Sequence, residues 1–242
     1  MKILRIIPSM DPKNGGPCQG IRNSIPELKK LGVDSEVVCL DSPESEFLIH
    51  DRFTIHALGK SKGAWAYNGQ LYVWLEKNLA HYDTVILHGL WLYHSFAATK
   101  AIAKFRKNGN VVRFFIMPHG MLDPWFQKDN GRKIKAIRNF FYWRLIEKNV
   151  VNSADGLLFT CEQELLLARE TFAGYYPKQE FNISYGIQPP PYLEEDMKIS
   201  FSAVSKALKN RPYILFLSRI HPKKGVALLI DAYQDLQRQG FI

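Results

Sequence analysis

The sequence predicts an α/β fold: a mainly parallel sheet with helices on both faces, followed by the first elements of a second domain. Three observations predict it. Short apolar runs recur along the chain, helical apolar spacing follows most of them, and loops bearing glycine or proline lie between. Strands this apolar, separated by helices, suit a parallel sheet covered on both sides. The 242 residues, 46% hydrophobic and 23% charged, leave room for one large domain or one and a half.

The elements follow in order. Lys2 to Ile7 reads as a strand ended by Pro8, and the turn-rich Ser9 to Gly16 leads into a helix through Ile21, Ile25, Leu28 and Leu31. Gly32 stops that helix, and Ser35 to Leu40 is the next strand. The alternation continues with strand Phe53 to Leu58, helix Trp65 to Ala80, strand Thr84 to Leu87, helix Ser95 to Arg106 and strand Val111 to Met117. Helix Arg132 to Asn149, strand Gly156 to Thr160 and helix Glu162 to Phe172 complete the first domain, expected over residues 1–187. The prolines at 189, 190 and 191 open a linker, 188–211, with a short helix in it. A strand from Pro212 to Ser218, a loop, and a helix from Gly225 to about Gln239 make 212–242 the first β-α unit of a truncated second domain. One such unit cannot bury its own apolar face.

Composition narrows the function. No run of eighteen or more apolar residues occurs, and the apolar start is too short for a secretory signal, so a cytoplasmic protein is expected. Cys18, Cys39 and Cys161 are far apart and form no metal-binding spacing; buried free thiols are the expectation, with no metal. The formal charge of +9 is concentrated: between Ala101 and Val150, eleven Lys or Arg face three acids, leaving +8. That region calls for an anionic partner. Arg132 to Val151 joins those cations to Phe140, Phe141, Trp143, Leu145 and Ile146. Two readings stand together, a peripheral contact with an anionic membrane and an ordinary amphipathic helix that buries its aromatics. Charge is the sole hint of nucleic-acid binding, and no helix-turn-helix, zinc or RNA-sheet signature accompanies it, so no specific nucleic-acid partner is expected.

Ligands of such sheets bind beyond the carboxyl ends of the strands, which directs attention to three loops. Asn14-Gly15-Gly16-Pro17 precedes the first helix, where glycines and a helix start suit a phosphate. The G-x-G-x-x-G fingerprint is absent, which argues against a dehydrogenase. Ser218 to Gly225 places Arg219 and Lys224 between a strand and a helix, a fork and a point charge suited to a diphosphate. Met117 to Trp125 carries His119, then Gly120, directly after a buried strand.

With His88-Gly89-Leu90-Trp91 and Thr160-Cys161-Glu162-Gln163-Glu164, these loops resemble family-four glycosyltransferases of the GT-B fold. The likeness is strongest to those with a Pro-His-Gly-Met-Leu-x-Pro-Trp segment that build bacterial surface polysaccharides, and it covers essentially the whole chain. The resemblance implies two Rossmann-like domains, the second truncated here, and retaining transfer from a nucleotide sugar to a glycan or lipid-linked acceptor. It implies that Gly15 and Gly16 lie near the donor phosphates, that Arg219 and Lys224 stabilise the leaving nucleoside diphosphate, and that His119 contacts the transferred sugar. Gly120 and Glu162 join the substrate-binding set on the same ground, and no cofactor or metal is implied.

Two departures stand out. The paired glutamates that hold the donor in relatives lie beyond this chain, so little or no transfer by the chain alone is expected. Tyr185-Gly186 replaces the usual Asn-Gly near the interdomain crossing. The competing reading is a non-catalytic remnant that keeps an acceptor cleft. Sugar-nucleotide epimerases and phosphorylases share the architecture, and the His119 and Arg219 segments favour the transferase.

Overall fold

A computed structural model describes residues 1–184, 186–187, 189–208 and 211–241. The chain divides into two units, Met1–Gln188 and Pro189–Ile242. In the first, seven strands form one sheet: β1 (Lys2–Ile6), β2 (Asp34–Cys39), β3 (Ile55–Ala57), β4 (Thr84–His88), β5 (Arg113–Met117), β6 (Gly156–Phe159) and β7 (Glu180–Asn182). Their order is β3-β2-β1-β4-β5-β6-β7, and every pair is parallel. This is the Rossmann-like sheet that the alternation predicts. The chain runs outward from β1 to β3 and resumes at β4 on the other side of β1. Connections therefore leave β1 and β4 in opposite directions and open a crevice at their carboxyl ends.

The helices of this unit are α1 (Gly16–Lys30), α2 (Gly69–Asn78), α3 (Tyr93–Lys107), α4 (Trp125–Lys128), α5 (Lys133–Tyr142), α6 (Lys148–Ser153) and α7 (Glu162–Ala168). Alternation along the strands sends Leu4, Ile6, Leu87, Phe114, Ile116 and Phe159 into one large core with Leu71, Leu75, Ala97 and Trp143 from the helices. Each fully buried aliphatic or aromatic side chain contributes about 1.5–3 kcal/mol. On the opposite face α1 lays Cys18, Ile21 and Ile25 on Val37 and Cys39. Beyond it, Ile3, Ile86 and Met117 pack with Val33, Phe115 and Leu158, a cluster to which no helix contributes.

Helix α1 ends as Gly32 predicts. With φ at +74°, Gly32 donates to the Lys29 carbonyl and Val33 donates to the Leu28 carbonyl, each at 3.0 Å, so the last carbonyls are satisfied.

Three elements of this unit differ from the sequence reading. Trp65 lies before its helix, because Lys62 and Tyr67 pair in an antiparallel bridge and the Asn68 side chain caps α2 by accepting from the Gln70 amide. The Arg132–Asn149 segment is not one α-helix: a π turn, Trp143–Glu147, joins α5 to α6, and both its first and last residues are buried. Strand β7, only three residues long and polar at both ends, escaped a reading based on apolar runs.

The second unit contains α8 (Glu195–Val204) and α9 (Val226–Arg238), which match the short linker helix and the final helix. Pro212 to Ser218, expected as a strand, belongs to none among the described residues. A strand exists through its ladder, and this stretch has no pairing partner there. Its apolar side chains Tyr213, Ile214, Leu215 and Leu217 are exposed.

Candidate functional site

Two histidines meet at the crevice. His88 is the last residue of β4, and His119 follows β5 after Pro118. Parallel register brings the two strand ends side by side, with His88 opposite Met117. The rings stack 5.2 Å apart between centroids, and His88 Nδ1 lies 3.0 Å from His119 Nε2. On its other side, His88 Nε2 lies 3.4 Å from a guanidinium nitrogen of Arg5, a buried cation in β1.

Arginine can only donate, so His88 Nε2 accepts. The neutral His88 ring then carries its proton on Nδ1 and donates it to His119 Nε2, which leaves the His119 proton on Nδ1. Both rings are held neutral. Burial pushes His119 down to about 4, opposed by the Glu164 carboxylate and reinforced by Arg5. His88 is driven well below the usual imidazole range by burial first, then by His119, Arg5 and His94. Buried His94 bonds through Nε2 to the His88 carbonyl at 3.0 Å and is lowered to about 4, again by burial. At neutral pH the site therefore offers polar, uncharged imidazoles beside one buried guanidinium.

The loops that carry the pair are tied together. His119 has φ at +54°, left-handed and unusual for a side chain with Cβ, and Gly120 continues at +75°. Glu164 in α7 holds this turn: one carboxylate oxygen accepts from the Gly120 amide at 2.6 Å, the other from the Thr160 amide and hydroxyl at 2.9 and 2.6 Å. Gly89 donates to the Met117 carbonyl at 3.0 Å, and the Trp91 indole donates to the Met121 carbonyl at 3.3 Å. The loop after β1 is pinned by Asp41, which accepts from the Ser9 hydroxyl at 2.6 Å and the Met10 amide at 2.7 Å.

Two cavities border His88, His119 and Pro17. One of about 320 Å³ runs along the sheet past Arg5, Ile86 and Met117, and one of about 280 Å³ lies against Asn14, Gly89 and Met121. Gly15 and Gly16 are exposed at the start of α1 and flank the second cavity through Asn14 and Pro17. At Gly15 the backbone, not space, calls for glycine: φ is +84° and an added Cβ would meet nothing within 4 Å. Gly120 lies in the His119 turn. Glu162 is exposed in the first turn of α7, and Glu164, two residues on, is the one that reaches His119's loop. Arg219 and Lys224 are exposed in the second unit, Lys224 in a 3-10 turn ahead of Gly225 and α9. Tyr185 of the Tyr185-Gly186 departure lies outside the described residues, while Gly186 borders the larger cavity. No group of three or more His, Cys, Asp or Glu able to hold a metal ion occurs among the described residues.

Sequence reasoning missed Arg5, Glu147 and the pairing role of His88. Arg5 carried a signal, a lone cation inside an apolar strand. His88 carried the same signal as His119, a histidine at the carboxyl end of a strand.

The family profile described as Glycosyl transferase 4-like domain matches residues 15–180, which include the histidine pair and Glu164. Two solved structures share the fold. Anabaena HepE in complex with UDP is 16% identical at a TM-score of 0.60, over 96% of this chain and 57% of that one. A glycosyltransferase from Rickettsia africae is 17% identical at a TM-score of 0.57, over 98% of this chain and 57% of its own. The chain thus spans a little over half the length of each. No curated protein matches it.

Proposed function

The chain belongs to the Glycosyl transferase 4-like domain family, and from that premise we propose that it forms the acceptor side of a retaining glycosyltransferase of surface polysaccharide synthesis. A nucleotide sugar is the donor, and a glycan or lipid-linked molecule is the acceptor. The observation that carries this reading is the neutral His88–His119 pair between two cavities at the crevice, inside the matched region. A neutral imidazole can hydrogen-bond a sugar hydroxyl without adding positive charge beside an anomeric centre that becomes electron-poor as the bond breaks. His119 is therefore assigned to the transferred sugar, with Gly120 and Glu162 in the substrate-binding set.

Gly15 and Gly16 approach the donor phosphates at the start of α1. Arg219 and Lys224 stabilise the departing nucleoside diphosphate, the group on which negative charge grows. UDP bound to HepE supports a nucleotide donor. The retaining course rests on the family resemblance.

The acceptor is met at an anionic membrane surface. On the outer side of the α5–π segment, Ile134, Ile137, Phe141 and Leu145 are 85, 60, 57 and 79% exposed, while Trp143 is buried at 2%. Exposed Lys133, Arg138 and Arg144 flank this apolar stripe. No helix of the described residues is long and apolar enough to cross a membrane.

Saturation-transfer NMR with a panel of nucleotide sugars tests the donor assignment. Arg219→Ala and Lys224→Ala should each weaken binding about tenfold, the size of one charge-assisted hydrogen bond. Unchanged binding in both variants contradicts it. It favours the second reading, a non-catalytic domain with an acceptor cleft.

A further inference from the structure

Glu147 is the single acid of the cationic segment Arg132–Val151, and it is fully buried. The π turn carries it inward. Its Oε1 accepts from the Trp91 amide and from the Ser95 hydroxyl, each at 2.6 Å. Its Oε2 is buried without a hydrogen-bond partner. A carboxylate in apolar surroundings is costly, and an apolar residue of similar size would fill the space at less cost.

The two groups it holds are the ones that fix the crevice loop. Trp91 lies three residues beyond His88 with φ at +71°, a strained value for a tryptophan. Ser95 lies in the first turn of α3, where the aligned amides favour negative charge. The Trp91 ring packs on Tyr142, Trp143 and Phe172, and its indole reaches the Met121 carbonyl in the His119 loop. One carboxyl thus ties α5, the π turn, the β4–α3 loop and, through it, the two histidines.

We propose that Glu147 is a positioning residue for the His88–His119 pair, clamping Trp91 and Ser95 so that the two imidazoles keep their hydrogen bond. The assignment of a role in sugar binding to that pair rests on the glycosyltransferase reading; the clamp itself does not. Burial raises the Glu147 carboxyl to about 7, against the lowering effect of Ser95 and the Trp91 amide. Charged hydrogen bonds are the stronger ones, so the clamp is tight above that pH and slackens below it. The neighbouring groups do not titrate in this window. Tyr142 is pushed up to about 12 by burial first, with Glu147 adding to the rise and Trp65, Ser95 and Arg138 opposing it, while burial lowers His94 and His119 to about 4.

The test is ¹⁵N NMR of the histidines and ¹³C NMR of the Glu147 carboxyl between pH 5.5 and 8.5, with amide exchange at Trp91. In the wild type, the His88 and His119 signals should move with the inflection of the Glu147 carboxyl. Glu147→Gln keeps an acceptor for both donors and should retain the paired pattern without the inflection. Glu147→Ala should speed exchange at the Trp91 amide about tenfold or more and shift both imidazoles. Imidazole signals that ignore the carboxyl's titration in the wild type, or are unmoved in a folded Glu147→Ala protein, overturn the proposal. If the coupling appears but no nucleotide sugar perturbs His119, the clamp stands and the glycosyltransferase reading of the pair fails.

Discussion

At the residue scale, the site depends on burial setting the charge of each group. His119 and His88 lose their protons because they are buried, Glu147 holds one to higher pH for the same reason, and Arg5 is a buried cation beside them. Glu147 makes a stability prediction whose sign can be worked out. Its folded value of about 7 lies above the ordinary 4.5, so the folded state binds the proton more tightly than the unfolded chain. That contribution is complete below the ordinary value and is lost as pH rises through about 7. At about 1.4 kcal/mol per unit, the loss is ~3 kcal/mol. Glu147→Gln has no proton to lose. Urea unfolding should show the variant gaining on the wild type as pH rises from 5 to 8, and a constant difference would contradict the assignment. Of these residues the sequence revealed His119, because a histidine directly after an apolar run must stand at a strand end. It hid Glu147, since an acid among eleven cations reads as part of a solvated face until the π turn shows which way it points.

At the element scale, the alternation of apolar runs and helical spacing was enough to locate the first six strands, because buried parallel strands have no polar side to blur the signal. β7 was illegible: an edge strand of Glu-Phe-Asn has one apolar residue, and that one is 38% exposed. Pro212 to Ser218 shows the reverse error, a strand-like composition without a ladder among the described residues. The basic aromatic segment turns Trp143 inward, as an amphipathic helix would, and leaves Ile134, Ile137, Phe141 and Leu145 exposed, the side proposed to meet a membrane. Flotation with anionic liposomes should therefore carry the chain at low salt and release it at high salt. Leu145→Glu should weaken flotation while leaving the thermal midpoint within about 2 °C, since surface changes rarely exceed ±0.5 kcal/mol. Flotation unchanged by this substitution and by salt would remove the membrane surface from the account.

At the scale of the whole molecule, the position of the site follows from strand order, which no local pattern reveals. Periodicity showed that strands and helices alternate; it did not show that β1 and β4 would be neighbours with connections departing in opposite directions. That adjacency puts Arg5 from the first strand beside His88 from the fourth and His119 from the loop after the fifth. The matched family region, residues 15–180, contains this pair, and the glycosyl-transfer reading is a proposal that rests on it. The most direct measurement is the ¹⁵N spectrum of His119 in the chain titrated with nucleotide sugars. The His119 and His88 signals should shift together on saturation with the cognate nucleotide sugar, both rings staying neutral at pH 7. Imidazole signals that do not move with any nucleotide sugar at millimolar concentration, or a His119 that is protonated at pH 7, would contradict it.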